Sequence, residues 1–406
     1  MGNLSIPPLT ELRKRRSAKW RTFPDDVLPL PVAEMDFPLA EPVAEVLHEA
    51  VARSDTGYAA PTRELADAVR DYALRSWGWR IDADGVRTVA DVGIGVVEVL
   101  RRVVGAGDRV VISPPVYEPF SWWIREVGAQ VVEAPLTEGP EGWRLDPDAL
   151  ERAFADHATA YVLCNPHNPM GLVHRREELV ALAELADKYG VHVLSDEIHA
   201  PLVLPGAEFV PFLSVSEEAR RWGFSFLSAS KGWNLAGLKA AVVVTADPAP
   251  KRYADRLSPH SLYRTGHLGV LATVAAFHDG GPWLAEVLEA LDHNRRLLGD
   301  LLGELLPEAR YRQPQAGFLA WLDFRALGWG DDPTAHLLTA ARVALNAGHR
   351  YGPSGHGCAR LNFGCAPETL REALSRIAAV NRKGAPVAAS AYAGPSADYT
   401  GRIRYS

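Results

Sequence analysis

Val191-His192-Val193-Leu194-Ser195-Asp196-Glu197-Ile198-His199 is an alternating apolar run that ends in a carboxylate. It reads as a strand, and open parallel sheets carry their chemistry at strand ends of this kind. Asp196 therefore has two readings, a charge partner for a bound group or a cap for the next turn. Upstream, Tyr161-Val162-Leu163-Cys164-Asn165-Pro166-His167-Asn168-Pro169-Met170-Gly171 is another strand, running into a double Asn-Pro turn. Downstream, Phe224-Ser225-Phe226-Leu227 reads as a third strand, and it delivers Ser228-Ala229-Ser230-Lys231-Gly232-Trp233-Asn234-Leu235-Ala236-Gly237-Leu238-Lys239 to a tight turn.

That last stretch combines an amine, small hydroxyls and a second cation, the parts needed to hold pyridoxal phosphate. Taken alone it also reads as a solvated lysine near serines. The strand-like runs Arg109 to Ile112, Ala129 to Glu133, Thr159 to Leu163, Val191 to Leu194 and Ala240 to Thr245 alternate with amphipathic helical stretches, Glu177 to Tyr189 among them. Such alternation predicts an α/β fold around a mainly parallel sheet. From Pro282 a long helix, a strand over Gly317 to Phe324 and a helix after Asp331 predict a smaller α+β domain.

The chain has 406 residues, 47% of them hydrophobic and 23% charged, which is enough for two domains with a true core. The net charge of -7 argues against nucleic acid or an anionic membrane as partner, and the one basic cluster, Arg13-Lys14-Arg15-Arg16, reads as a solvated helix end. Cys164, Cys358 and Cys365 lack paired spacing, so neither a disulfide framework nor a metal site is expected. No signal peptide or bilayer-length apolar run is apparent, and a soluble, cytoplasmic protein is expected. Gly384 to Ser406 is rich in Ala, Gly, Pro and Ser, the composition of a flexible tail.

The order of Asn-Pro turn, Asp-ended strand and Ser-x-Ser-Lys resembles the fold-type I pyridoxal-phosphate enzymes. Leu28-Pro29-Leu30, Val32-Ala33-Glu34-Met35-Asp36-Phe37, Pro114-Pro115-Val116-Tyr117, Ser195-Asp196-Glu197-Ile198-His199, Leu319-Ala320-Trp321-Leu322-Asp323 and Arg360-Leu361-Asn362 are similar to the MalY/PatB-type cystathionine β-lyase branch, over about residues 18 to 382. The resemblance implies a large cofactor-binding domain over 46–281, a small C-terminal domain over 282–383, and an N-terminal segment, 1–45, that joins the small domain.

It also implies roles. Lys231 would bond the cofactor and later remove the substrate α-proton, Asp196 would pair with the pyridine nitrogen, and Asn168 and His199 would lie near the ring oxygen. Tyr117 would stack on the ring; a buried core tyrosine is its other reading. His199 also reads as a plain loop histidine. Ser228, Lys239 and the Gly93-Ile94-Gly95 helix start would bind the phosphate. Tyr58 would reach the phosphate of a neighbouring subunit, which implies a homodimer with shared active sites. Arg360 would clamp the α-carboxylate of an amino acid substrate, although without the resemblance it reads as a surface ion-pair residue.

The chain departs from the pattern where substrate is expected. Pro31 stands where Trp is usual, Met170 where Thr is usual, and Gly93 where a larger residue is common, while Arg350 is expected to add a cation near the carboxylate. Three function classes remain: a C-S β-lyase acting on a sulfur-containing amino acid, an aminotransferase or oxidative deaminase, and a non-catalytic regulatory protein. Removal of the α-proton is common to the two enzymatic classes, so the cofactor motifs alone do not choose between them.

Overall fold

A computed structural model describes residues 4–382. The stretch 384–406, expected to be a flexible tail, lies outside the described residues. Seven strands form the main sheet, in the order Val86–Val89, Ala241–Val244, Gly223–Leu227, His192–Asp196, Ala158–Cys164, Arg109–Ile112 and Gln130–Glu133. Ala241–Val244 runs antiparallel to both neighbours, and the other pairings are parallel. The predicted strands thus form, within a residue or two at each end.

Helices cover both faces because the parallel strands need long crossovers and bury their own two sides. Arg176–Tyr189 is such a crossover helix: it buries Leu179, Leu182, Ala183 and Ala186, and Gly190 ends it in the left-handed region at φ 69°. Gly95 is required by close packing, since a Cβ there would stand 3.0 Å from Val89 and 3.1 Å from Phe226.

The second sheet is antiparallel, in the order Arg310–Tyr311, Leu319–Asp323, Cys358–Asn362 and Asn346–Ala347. The 25-residue helix Gly281–Leu305 leads to it. Leu28–Pro29 pairs in parallel with Val343–Ala344, which ties the start of the chain to residues more than 300 positions later. Among the described residues no helix is long and apolar enough to cross a membrane, and no cluster of His, Cys, Asp or Glu could hold a metal.

Candidate active site

Strand register assembles the centre of the site. Cys164 lies opposite Asp196, and Asp196 opposite Phe226, so the residues that follow three neighbouring strands emerge side by side. Asp196 is buried and accepts one hydrogen bond, from the Ile198 N–H at 3.1 Å. Burial raises its pKa to about 7 against the opposing pull of that N–H and of the Lys231 charge.

The adjacent Glu197 faces a different set of partners. It accepts from Phe212 N at 2.8 Å, Ser195 Oγ at 3.0 Å, Asn165 Nδ2 at 3.4 Å and, at very short range, Ser225 Oγ. One carboxylate therefore locks the strand ends while its neighbour keeps capacity for a further donor. The sequence reading missed Glu197, although the serines on two adjacent strands were a signal.

Lys231 lies on the short helix Ala229–Gly232, which Ser228 caps: its Oγ accepts from Ser230 N and donates to Ala240 O at 2.7 Å. The Lys231 Nζ donates to Ala33 O at 3.0 Å. Burial first, and the Arg360 charge second, lower its pKa to about 8, with Glu34 and Asp196 pulling the other way. The result is an amine that is neutral far more often than a surface lysine.

The expected phosphate residues meet through a residue the sequence reading passed over. Asp91 caps the helix Val92–Val103: its Oδ1 accepts from Ile94 N at 2.8 Å, and its Oδ2 pairs with Lys239 Nζ at 3.2 Å. Asp91 ahead of Val-Gly-Ile-Gly was a legible cap signal. A Cβ on Gly93 would stand 2.6 Å from the Trp123 ring, so glycine lets that ring approach the helix start. Trp123 and Phe120 hold Tyr117 edge-on at 5.9 and 5.8 Å, and burial raises the Tyr117 hydroxyl well above its usual range.

The residues expected on the substrate side come from elsewhere in the chain. Arg360 is buried on Cys358–Asn362; it donates to Asn168 Oδ1 at 3.1 Å and Pro31 O at 2.8 Å, and its Nε has no partner. Its guanidinium lies over the Tyr351 ring at 5.2 Å. His199 is buried with Nδ1 unpartnered, and burial, followed by the charges of Lys231 and Arg360, lowers its pKa to about 3. It stands as a neutral imidazole. Arg350 is paired with Glu118 at 2.7 Å. Tyr58 is 79% exposed, edge-on to Tyr263 at 5.9 Å, on the outside of this chain.

Residues 31–36 form a strap whose backbone carbonyls hold these groups. Pro31 O takes Arg360, Ala33 O takes Lys231, and Val32 O and Glu34 O take the Asn362 amide at 2.7 Å each. Asn234 bridges Met35 N and O, and Lys19 donates to Glu34 O and pairs with Asp36 at 2.6 Å. Asn362, Asn234 and Lys19 were not foreseen as site supports.

These residues fit pyridoxal phosphate. There is a half-buried amine of lowered pKa, a buried carboxylate with one donor, a capped helix start beside Lys239, and buried unpartnered nitrogens on Arg360 and His199. Comparison with known proteins agrees. The family model described as aminotransferase class I and II matches residues 25–377. A Mycobacterium leprae protein provisionally named a cystathionine beta-lyase is 45% identical over 395 residues, covering 91% of this chain and 96% of its own. Cystathionine beta-lyase PatB of Bacillus subtilis is 34% identical over 357 residues, 87% of this chain and 92% of its own. The crystal structure of cystalysin from Treponema denticola, which contains pyridoxal 5'-phosphate, superposes with a TM-score of 0.88 at 26% identity, covering 94% and 99% of the two chains.

Proposed function

The chain belongs to the aminotransferase class I and II family, and we propose that within it this protein is a pyridoxal-phosphate-dependent C-S β-lyase. It cleaves an L-cysteine S-conjugate or cystathionine by α,β-elimination to thiol, pyruvate and ammonia. The observation that carries this reading is the convergence of Lys231, Asp196 and Arg360 in a chain alike over nine tenths of its length to a relative named as a cystathionine beta-lyase.

When bound, pyridoxal phosphate supplies a sink for the electron pair left at the substrate α-carbon. Asp196 holds a proton at the pyridine nitrogen, and that cationic neighbour in turn favours its ionised form. Asn168 and His199 would lie near the ring oxygen, Tyr117 would stack on the ring, and the Val92–Val103 helix start with Lys239 would hold the phosphate. Arg360 leaves Pro31 O for the substrate α-carboxylate. Lys231, neutral in part near pH 8, takes the α-proton, and as an ammonium it has a proton to give the departing sulfur.

Residues 46–281 with the seven-stranded sheet are read as the cofactor domain, and 282–383 with the antiparallel sheet as the small domain, joined by 1–45 through the Leu28–Pro29 pairing. In the homodimer we envisage, the exposed Tyr58 crosses to the phosphate bound by a second copy. Three unpaired, buried cysteines suit a reducing cytosol.

Amino transfer, the activity in the family's description, would draw on the same Lys231 and Arg360. Product analysis of the cofactor-loaded protein with L-cystathionine separates the two. Free thiol and pyruvate in equal amounts are expected; amino-group transfer to a keto acid without thiol release would make it an aminotransferase.

A further inference from the structure

We infer that Glu118 and Arg350 form a second, charge-paired subsite at the edge of the active site. It takes the far end of a cysteine conjugate whose departing thiol carries its own ammonium and carboxylate. The inference rests on the lyase reading and names the substrate class that the site favours.

Glu118 follows the ring-stacking Tyr117, and Arg350 precedes Tyr351, the ring beneath the Arg360 guanidinium. The charges of Arg360, Arg350 and Glu118 all act on the Tyr351 hydroxyl, which burial pushes up to about 12. The Arg350–Glu118 pair spans the same two loops that meet where Val116 N donates to Tyr351 O, beside the ring under Arg360. The Arg350 and Glu118 side chains are 29% and 26% exposed, so they are anchored yet open to a solute.

A purely structural latch is the simpler role for such a pair, and the contacts around it leave little for a latch to do. Val116 N already donates to Tyr351 O at 2.9 Å, and Gly352 sits so close to Pro114 that a Cβ would stand 2.8 Å from its ring. Backbone and packing join the two loops, and a part-exposed ion pair adds little to them.

The chemistry of the pair selects its ligand. Glu118 engages Arg350 through Nε, which leaves the Nη edge of the guanidinium as the fork that matches a carboxylate. A lone carboxylate arriving there meets a cation already half neutralised and an acidic neighbour. A lone ammonium meets the converse. An amino acid terminus offers both charges on one carbon, so each pole of the pair gains a partner and the net charge of the subsite stays zero. The α-carboxylate of the reacting end remains with the buried Arg360, whose Nε is unpartnered.

The test measures binding of four probes to the cofactor-loaded protein: S-methyl-L-cysteine as reference, S-carboxymethyl-L-cysteine, S-(2-aminoethyl)-L-cysteine and L-cystathionine. Relative to the reference, Glu118→Gln should weaken the aminoethyl probe about tenfold and tighten the carboxymethyl probe. Arg350→Gln should do the reverse, and both should weaken cystathionine. Shifts of all probes in one direction, as loss of a latch would give, or ratios equal to those of the unaltered protein, overturn the subsite. Thiol release is scored separately: its absence from every probe, with the crossed binding pattern intact, overturns the lyase reading and leaves the subsite standing.

Discussion

The end of the main sheet and the strap at residues 31–36 build opposite sides of one site by different means. At the sheet end, Asp196 closes one strand and Lys231 follows the next, whose Phe226 stands opposite Asp196. At the strap, the backbone oxygens Pro31 O and Ala33 O reach Arg360 and Lys231 across 329 and 198 positions of sequence. The first is a local design that the cofactor completes. The second is a long-range assembly whose carbonyls accept from the Lys231 amine and the Arg360 guanidinium.

If that contrast is real, damage to the strap should spare the cofactor. The largest effect is expected at Lys19, which with Asp36 forms an ion pair of 0% and 1% exposure. Lys19→Met leaves Asp36 buried and unpaired, and burial already raises its pKa despite Lys19. Unfolding should become easier by about 3 to 5 kcal/mol in denaturant titration. Lys19→Met with Asp36→Leu should recover most of that loss. No recovery in the double variant would mean that the pair is not what anchors the strap.

A smaller effect sharpens the sheet-end half. A protonated amine cannot attack a carbonyl, so the rate at which Lys231 captures pyridoxal phosphate should rise with pH through about 8 and level off above it. An ordinary lysine would keep gaining up to about 10.5. Because the Arg360 charge is the second cause of the depression, Arg360→Gln should move the midpoint upward. Borohydride trapping with mass mapping of Lys231 reads both, and a midpoint unchanged by the variant would remove Arg360 from that role.

The two halves were also unequally legible in the sequence. Asp196, Lys231 and Asn168 stand next to apolar runs of strand period, and six of the seven strands of the main sheet followed from that period, Val86–Val89 being passed over. The Gly317 to Phe324 expectation narrowed to Leu319–Asp323: Gly317 lies in the left-handed region at φ 79°, and a tight turn over Arg325–Leu327 follows Phe324. The strap was legible only as a resemblance, since a backbone carbonyl has no residue type of its own. Arg350 was read as a free cation because its partner, Glu118, lies 232 positions away. Pro31 was read for the side chain it lacks, whereas its carbonyl is what touches Arg360. Ser228 was expected near the phosphate, and its hydroxyl donates to Ala240 O while accepting from Ser230 N.

The most direct test of this division of labour measures two dissociation constants, for pyridoxal phosphate and for a cysteine S-conjugate, on Lys231→Ala and Arg360→Gln. Lys231→Ala should lose covalent retention of the cofactor. Arg360→Gln should keep the cofactor and weaken the conjugate by about 2 to 5 kcal/mol, the cost of removing one partner of a desolvated charge pair. Cofactor and conjugate affinities that fall together in both variants would contradict the account.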